Sequence, residues 1–293
     1  MKINNFLACF VLALLLVACK KDKEDVPVST QLEAETRLDA SYISSSSSRA
    51  HMMDIYLPAG RSTEKTKVLI MMHGGAWAAG DKSDFSDYIT EIQQLMPDYA
   101  IFNINYRLYV PGNEFPAQEN DVKAAVEYIY NNRNSFHVSD KFVLMGASAG
   151  AHLAMLQAYK NNTLVKPKAV IDFFGPTDMT ALYSFYESVP DIITLFGLNA
   201  LLNGSPSTNP QMYTNSSPLN FVTAQSPPTI ILQGGADATV PKQQSLALQS
   251  KLNELKVKNE WVYYENLGHG GWPEKEMSES LAKIKVFLNA NLP

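Results

Sequence analysis

Cysteine is nearly absent from this 293-residue chain: there are two, Cys9 and Cys19, both within the first 19 positions. A body without thiols holds neither a disulfide framework nor a thiolate metal site, so its stability must come from its core. Histidine is scarce too, five in all (His51, His73, His137, His152 and His269), and none belongs to a His-Glu-x-x-His pattern. No Walker loop is present either, so the sequence implies no metal and no nucleotide cofactor. The body carries no basic cluster and the net charge is −5, which gives no support to a nucleic-acid partner. An apolar run near the N-terminus, Phe6 to Val17, extends for about a dozen residues, too short to cross a bilayer comfortably. No internal repeat and no second domain is evident. The remaining composition is that of a globular protein, with 46% hydrophobic residues, ample for a large core.

The N-terminus does not read as part of that core. A short positive start followed by Phe6 to Val17 predicts a signal peptide over residues 1–18. It ends in Leu16-Val17-Ala18-Cys19, which resembles the lipobox of bacterial lipoproteins, in contrast to an ordinary secretory signal with a chance cysteine. The resemblance implies lipidation of Cys19 and anchoring in the bacterial cell envelope, on the periplasmic or surface face of the outer membrane. The charged run Lys20 to Asp25 and the polar residues that follow, including Ser44 to Ser48, predict a solvated tether over 19–48.

From about residue 49 the pattern is regular. Strands are expected at Met52–Leu57, Val68–Met72, Ala100–Asn105, Phe142–Met145, Ala169–Phe174, Thr229–Leu232 and Trp261–Tyr264. Helices are expected between them, at about 118–132, 151–160, 246–252 and 275–288. Several strands are continuous apolar runs, which predicts an α/β fold with a mostly parallel central sheet covered by helices on both faces. Residues 178–222 break the alternation and are rich in aromatics, Asn, Ser and Pro. A stretch this long between two strands predicts a cap or lid, or else a peripheral helical decoration.

The most informative segment is Gly146-Ala147-Ser148-Ala149-Gly150, set between an apolar strand and a helix. That context predicts a nucleophile elbow, a tight turn that lifts the Ser148 hydroxyl clear of the sheet. A serine hydroxyl needs a base within hydrogen-bond reach. His269, in Leu267-Gly268-His269-Gly270-Gly271 after the last strand, has the fitting position. His152 follows the elbow and is expected to point away from the hydroxyl, and His73 is expected to be structural. The acid that orients the base is expected at Asp237, at a strand end between serine and histidine, with Asp178 and Glu265 as rivals. The oxyanion requires N–H donors, expected from Ala149 and from Gly75 and Ala76 of His73-Gly74-Gly75-Ala76-Trp77. Trp77 reads as packing, and Tyr106-Arg107 with Asp121 as a tie between sheet and helix.

Together these segments resemble the α/β-hydrolase superfamily, and more narrowly its His-Gly-Gly carboxylesterases akin to hormone-sensitive lipase. The likeness covers roughly residues 50–290 and includes Met53 to Pro58, Asn105 to Leu108, Gly146 to Leu153, Asp237 to Pro241 and Gly268 to Gly270. It implies a cofactor-independent serine hydrolase acting on short-chain esters, with acetylated carbohydrate as the leading substrate. Ala76 departs from the pattern, because many relatives carry a third glycine there. Two alternatives stay open: a serine amide hydrolase of peptidase or arylformamidase type, and a glycan-binding lipoprotein that kept the fold without the chemistry.

Overall fold

The computed structural model describes residues 32–161 and 164–292. Among the described residues eight strands form one sheet: β1 (Glu35–Ser41), β2 (Met52–Leu57), β3 (Lys67–Met72), β4 (Tyr99–Ile104), β5 (Phe142–Ala147), β6 (Ala169–Phe173), β7 (Thr229–Gly234) and β8 (Asn259–Tyr264). Their spatial order is β1-β2-β4-β3-β5-β6-β7-β8, antiparallel across the first two pairs and parallel from β4 onward. The helices are α1 (Ser86–Leu95), α2 (Ala117–Asn131), α3 (Arg133–Phe136), α4 (Ala149–Tyr159), α5 (Met179–Ser188), α6 (Ile192–Leu201), α7 (Pro210–Asn215), α8 (Gln243–Glu254) and α9 (Glu274–Asn291).

The apolar strand runs are explained by burial on both faces. Successive side chains of a strand point to opposite sides, and on β3 Val68, Ile70 and Met72 join one core cluster while Leu69 and Met71 join the other. Helix α4 is buried along its whole length, wedged between the sheet and α2. That is why its sequence, Ala149-Gly150-Ala151-His152-Leu153-Ala154-Met155-Leu156-Gln157-Ala158-Tyr159, shows no polar stripe.

Strand order reverses beside β3, which has β4 on one side and β5 on the other. At this switch point the loops leaving the C-terminal ends of two adjacent strands diverge and open a crevice. Met72 pairs with Gly146 at that edge, so the His73-Gly74-Gly75 loop and the Ser148 turn emerge side by side.

Residues 178–222 form the insertion expected between β6 and β7, built from α5, α6, α7 and a short 3-10 turn at Pro218–Phe221. The tether requires correction at its C-terminal end. Residues 35–41 are the edge strand β1, paired with β2. Its outer face is in water, so a polar sequence suffices, and its backbone bonds to β2 rather than to solvent. Specific contacts tie it down: the Asp39 N–H donates to Asp54 Oδ1 at 2.9 Å, and the buried Tyr42 hydroxyl donates to the carbonyls of Ala50 and Asn105. The signal peptide, Cys19 and the remainder of the tether up to residue 31 lie outside the described residues.

Candidate active site

Ser148 sits between β5 and α4 with φ 54° and ψ −119°, a left-handed conformation that a side-chain-bearing residue adopts only under strain. The surroundings enforce it. The Ser148 N–H donates to the Phe173 carbonyl at 2.9 Å, and a Cβ on Gly150 would lie 2.1 Å from the Met72 carbonyl oxygen. The turn therefore packs backbone against backbone, which only glycine permits at that position.

The strained turn aims the hydroxyl at the loop after β8. His269 Nε2 lies 2.9 Å from Ser148 Oγ, and His269 Nδ1 lies 2.8 Å from Asp237 Oδ2. A carboxylate only accepts, so Nδ1 carries the hydrogen and Nε2 is left to accept from the serine. Asp237 is itself fixed: its Oδ1 accepts from the backbone N–H groups of Thr239 and Val240, and Gln233 Nε2 donates to Oδ2 at 3.2 Å. Its side chain is fully buried while that of His269 is partly exposed, so the carboxylate backs the imidazole away from water. The Phe174 ring meets the imidazole edge-on at 4.8 Å.

The rival acids stand elsewhere. Asp178 caps α5 by accepting from the Ala181 N–H, and Glu265 is exposed. The other histidines are occupied as well. His73 donates from Nδ1 to the Gly74 carbonyl and stacks on Tyr106 at 4.3 Å, with burial holding its pKa below the usual value. His51 is bonded to Ser46, and His137 terminates α3 in a left-handed turn. Arg107 makes a two-pronged ion pair to Asp121 of α2, the sheet-to-helix tie expected of them.

Of the expected oxyanion donors, Ala149 is the first residue of α4, where N–H groups lack an intrahelical acceptor. Gly75 has φ +108°, and a Cβ there would lie 2.2 Å from the Ala79 carbonyl oxygen. Ala76 has φ 50°, so the alanine stands where a glycine would be unstrained. Ala76 and Ser148 both line an apolar cavity of about 270 Å³, roofed by Leu182, Ile193, Leu198 and Leu201 of the insertion and walled by Trp77. The roof comes from the insertion expected as a cap or lid, although the sequence did not say which of its residues face the cavity. Its only signal was the apolar stretch from Ile192 to Leu202, which α6 uses on two sides. Leu198 and Leu201 are buried, and Ile192 and Phe196 are each 75% exposed.

This arrangement can pass a proton from a hydroxyl to an imidazole backed by a carboxylate, beside a mostly apolar cavity. The family model described as BD-FAE matches residues 53–252, a span that contains the Ser148 turn and Asp237. The chain belongs to the BD-FAE family. Among relatives, this BD-FAE chain is 30% identical over 221 residues to the probable carboxylic ester hydrolase LipM of Mycobacterium tuberculosis, covering 71% of this chain and 50% of that one. Esterase LipQ of the same organism is 28% identical over 70% of this chain and 50% of its own length. The chain thus spans about half the length of these curated relatives. Solved structures agree on the fold. A bifunctional GH43-CE protein of Bacteroides eggerthii superposes with TM-score 0.74 at 26% identity, over 88% of this chain and 38% of that one. A truncated carbohydrate esterase from gut microbiota superposes with TM-score 0.69 at 25% identity, over 88% of this chain and 99% of that one. The α/β-hydrolase fold expected from the sequence is the fold of this BD-FAE chain.

Proposed function

We propose that the protein is a serine carboxylic-ester hydrolase, with Ser148 as nucleophile, His269 as base and acid, and Asp237 as the orienting carboxylate. The observation that carries the reading is the continuous hydrogen-bonded line from Ser148 Oγ through His269 to Asp237, opening onto an apolar cavity. Ser148 Oγ attacks the ester carbonyl carbon as its proton passes to His269 Nε2. The oxyanion that forms is held by the N–H of Ala149 and those of Gly75 and Ala76, donors worth on the order of 3 kcal/mol each in barrier. Collapse breaks the bond to the alkoxide, which leaves with the proton from His269. Water then attacks the acyl-enzyme, giving its proton to His269, and the acid product and free serine result.

The esterase names of LipM and LipQ support ester over amide chemistry. Carbohydrate-esterase neighbours support acyl groups on sugars as substrates, with the acyl chain in the apolar cavity and the sugar outward. Lipidation at Cys19, argued from Leu16-Val17-Ala18-Cys19, would hold the enzyme at the cell envelope. A Cys19→Ser variant found in the soluble fraction would agree with that anchor.

The test is labelling with a fluorophosphonate probe, run beside a panel of p-nitrophenyl esters, aminoacyl anilides, formylated aromatic amines and acetylated oligosaccharides. Wild type labels and turns over esters, and Ser148→Ala does neither. Equal labelling of both removes Ser148 as nucleophile. Strong amide turnover with background ester turnover replaces the reaction class. Sugar binding without any turnover replaces catalysis by capture.

A further inference from the structure

Trp77 and His152 are joined by a bond that the reaction scheme does not use. The Trp77 indole Nε1–H donates to His152 Nδ1 at 3.2 Å, and the rings meet edge-on with centroids 5.0 Å apart. On its other side His152 Nε2 lies 2.6 Å from the Ser216 carbonyl oxygen. An indole N–H only donates and a carbonyl only accepts, so the ring must have a bare Nδ1 and a protonated Nε2. Both nitrogens are satisfied in the neutral form. Burial favours that form, pushing the imidazole pKa down to about 4.

The three partners belong to three parts of the site. Trp77 directly follows Ala76, and these residues stand at φ 59° and φ 50°, two consecutive left-handed residues with side chains. Such a pair is strained for residues with side chains and persists only where neighbours over-determine it. His152 lies on α4 one turn beyond the nucleophile, with its N–H donating to the Ser148 carbonyl at 3.0 Å. Ser216 ends α7, the last helix of the insertion that roofs the cavity. Trp77 is further pinned through its carbonyl, which accepts from the Tyr109 N–H at 2.7 Å.

We infer that His152 is a positioning residue: through the Trp77 indole it fixes the Gly75-Ala76 oxyanion loop relative to Ser148, and through Ser216 it ties that register to the base of the cap. The inference rests on the reading of Ser148 as nucleophile. It makes His152 act on the transition state without touching substrate, because a shift of about 1 Å in N–H donors costs up to about a hundredfold in rate.

The test uses purified protein with p-nitrophenyl butyrate. Trp77→Phe keeps the ring and removes the donor; His152→Leu removes the acceptor; His152→Asn keeps a short acceptor near the Nδ1 position. Each of the first two is expected to lower kcat about tenfold to a hundredfold with KM within about twofold. The double variant is expected to be no slower than the slower single one, since one bond is lost in both. His152→Asn is expected to recover part of the loss. Nitrogen NMR of the His152 ring is expected to show the hydrogen on Nε2. Multiplying losses in the double variant, a raised KM with kcat unchanged, or a hydrogen on Nδ1 would overturn the inference. Absence of Ser148-dependent turnover in the wild type is a different result, and it sinks the esterase reading itself.

Discussion

The two oxygens of Asp237 serve different partners: Oδ2 faces His269 Nδ1 at 2.8 Å, and Oδ1 accepts the Thr239 and Val240 N–H groups at 2.9 and 2.8 Å. Asp237→Asn therefore has a defined consequence. The amide oxygen can keep the two backbone bonds, so the loop stays folded. The amide NH₂ then faces His269 Nδ1, which must become an acceptor, and Nε2 takes the hydrogen. A protonated Nε2 cannot accept from Ser148. The same NH₂ also opposes the Gln233 donor at the Oδ2 position. The variant is expected to lose about 10³–10⁴ in kcat, as wrong-tautomer variants of such triads do, with its melting temperature little changed. Steady-state kinetics beside thermal melts check both halves.

The glycines of the elbow separate shape from conformation. A Cβ on Gly146 would lie 2.3 Å from the Gly150 carbonyl carbon and oxygen, and one on Gly150 would lie 2.1 Å from the Met72 oxygen. Both clashes are with backbone, which has no rotamer to give. Gly146→Ala and Gly150→Ala are expected to destabilise by about 3 kcal/mol or more and to abolish fluorophosphonate labelling. Gly112 has φ +98° with nothing within 4 Å of its added Cβ, so Gly112→Ala meets only the conformational cost and retains labelling. Urea midpoints for the three variants give the comparison.

Much of this architecture is legible in the chain because burial is written into it. Strands β3, β5, β6 and β7 are apolar on successive residues since both faces are covered, and their positions match the sequence reading to within a residue or two. Ser148, Asp237 and His269 are legible for a related reason: each follows a strand whose end can be located. Strand β1 is not legible, because Glu-Thr-Arg-Leu-Asp-Ala-Ser at a solvated edge has the composition of a tether. Helix α1 also escaped, since it buries only Ile89 and Ile92. The Trp77–His152 bond joins positions 75 residues apart, and which residues of the insertion face the cavity is set by packing, so both depend on contacts that local patterns do not encode.

Gly197 of α6 lines the cavity, and a Cβ added there meets nothing within 4 Å. A larger side chain at this position extends into space the acyl group would use, and it also favours the helix over glycine. Gly197→Leu is expected to leave p-nitrophenyl acetate turnover near wild type while lowering kcat/KM for the hexanoate. Pocket contacts worth one or two methylenes correspond to about tenfold or more in that ratio. Equal loss on both esters would mean that the acyl chain lies elsewhere.

Asp172 of β6 is completely buried, and burial raises its pKa from 3.8 to about 7. Its Oδ1 accepts from the Gly175 N–H at 2.8 Å, and its Oδ2 has no hydrogen-bond partner among the described residues. Below pH 3.8 the carboxyl is protonated in both folded and unfolded chains, and its favourable contribution is fully present. Between that value and about 7 the unfolded chain releases the proton and the folded chain keeps it, so stability falls as pH rises through this window. Above it the folded protein carries a buried carboxylate, a loss on the order of 4 kcal/mol from this one group. Asp172→Asn keeps an oxygen for the Gly175 N–H and cannot ionise. Urea unfolding at pH 8.5 is expected to find the variant more stable than wild type, with the gap shrinking steadily toward pH 5. A gap that stays constant with pH would show that Asp172 does not change its charge across this range.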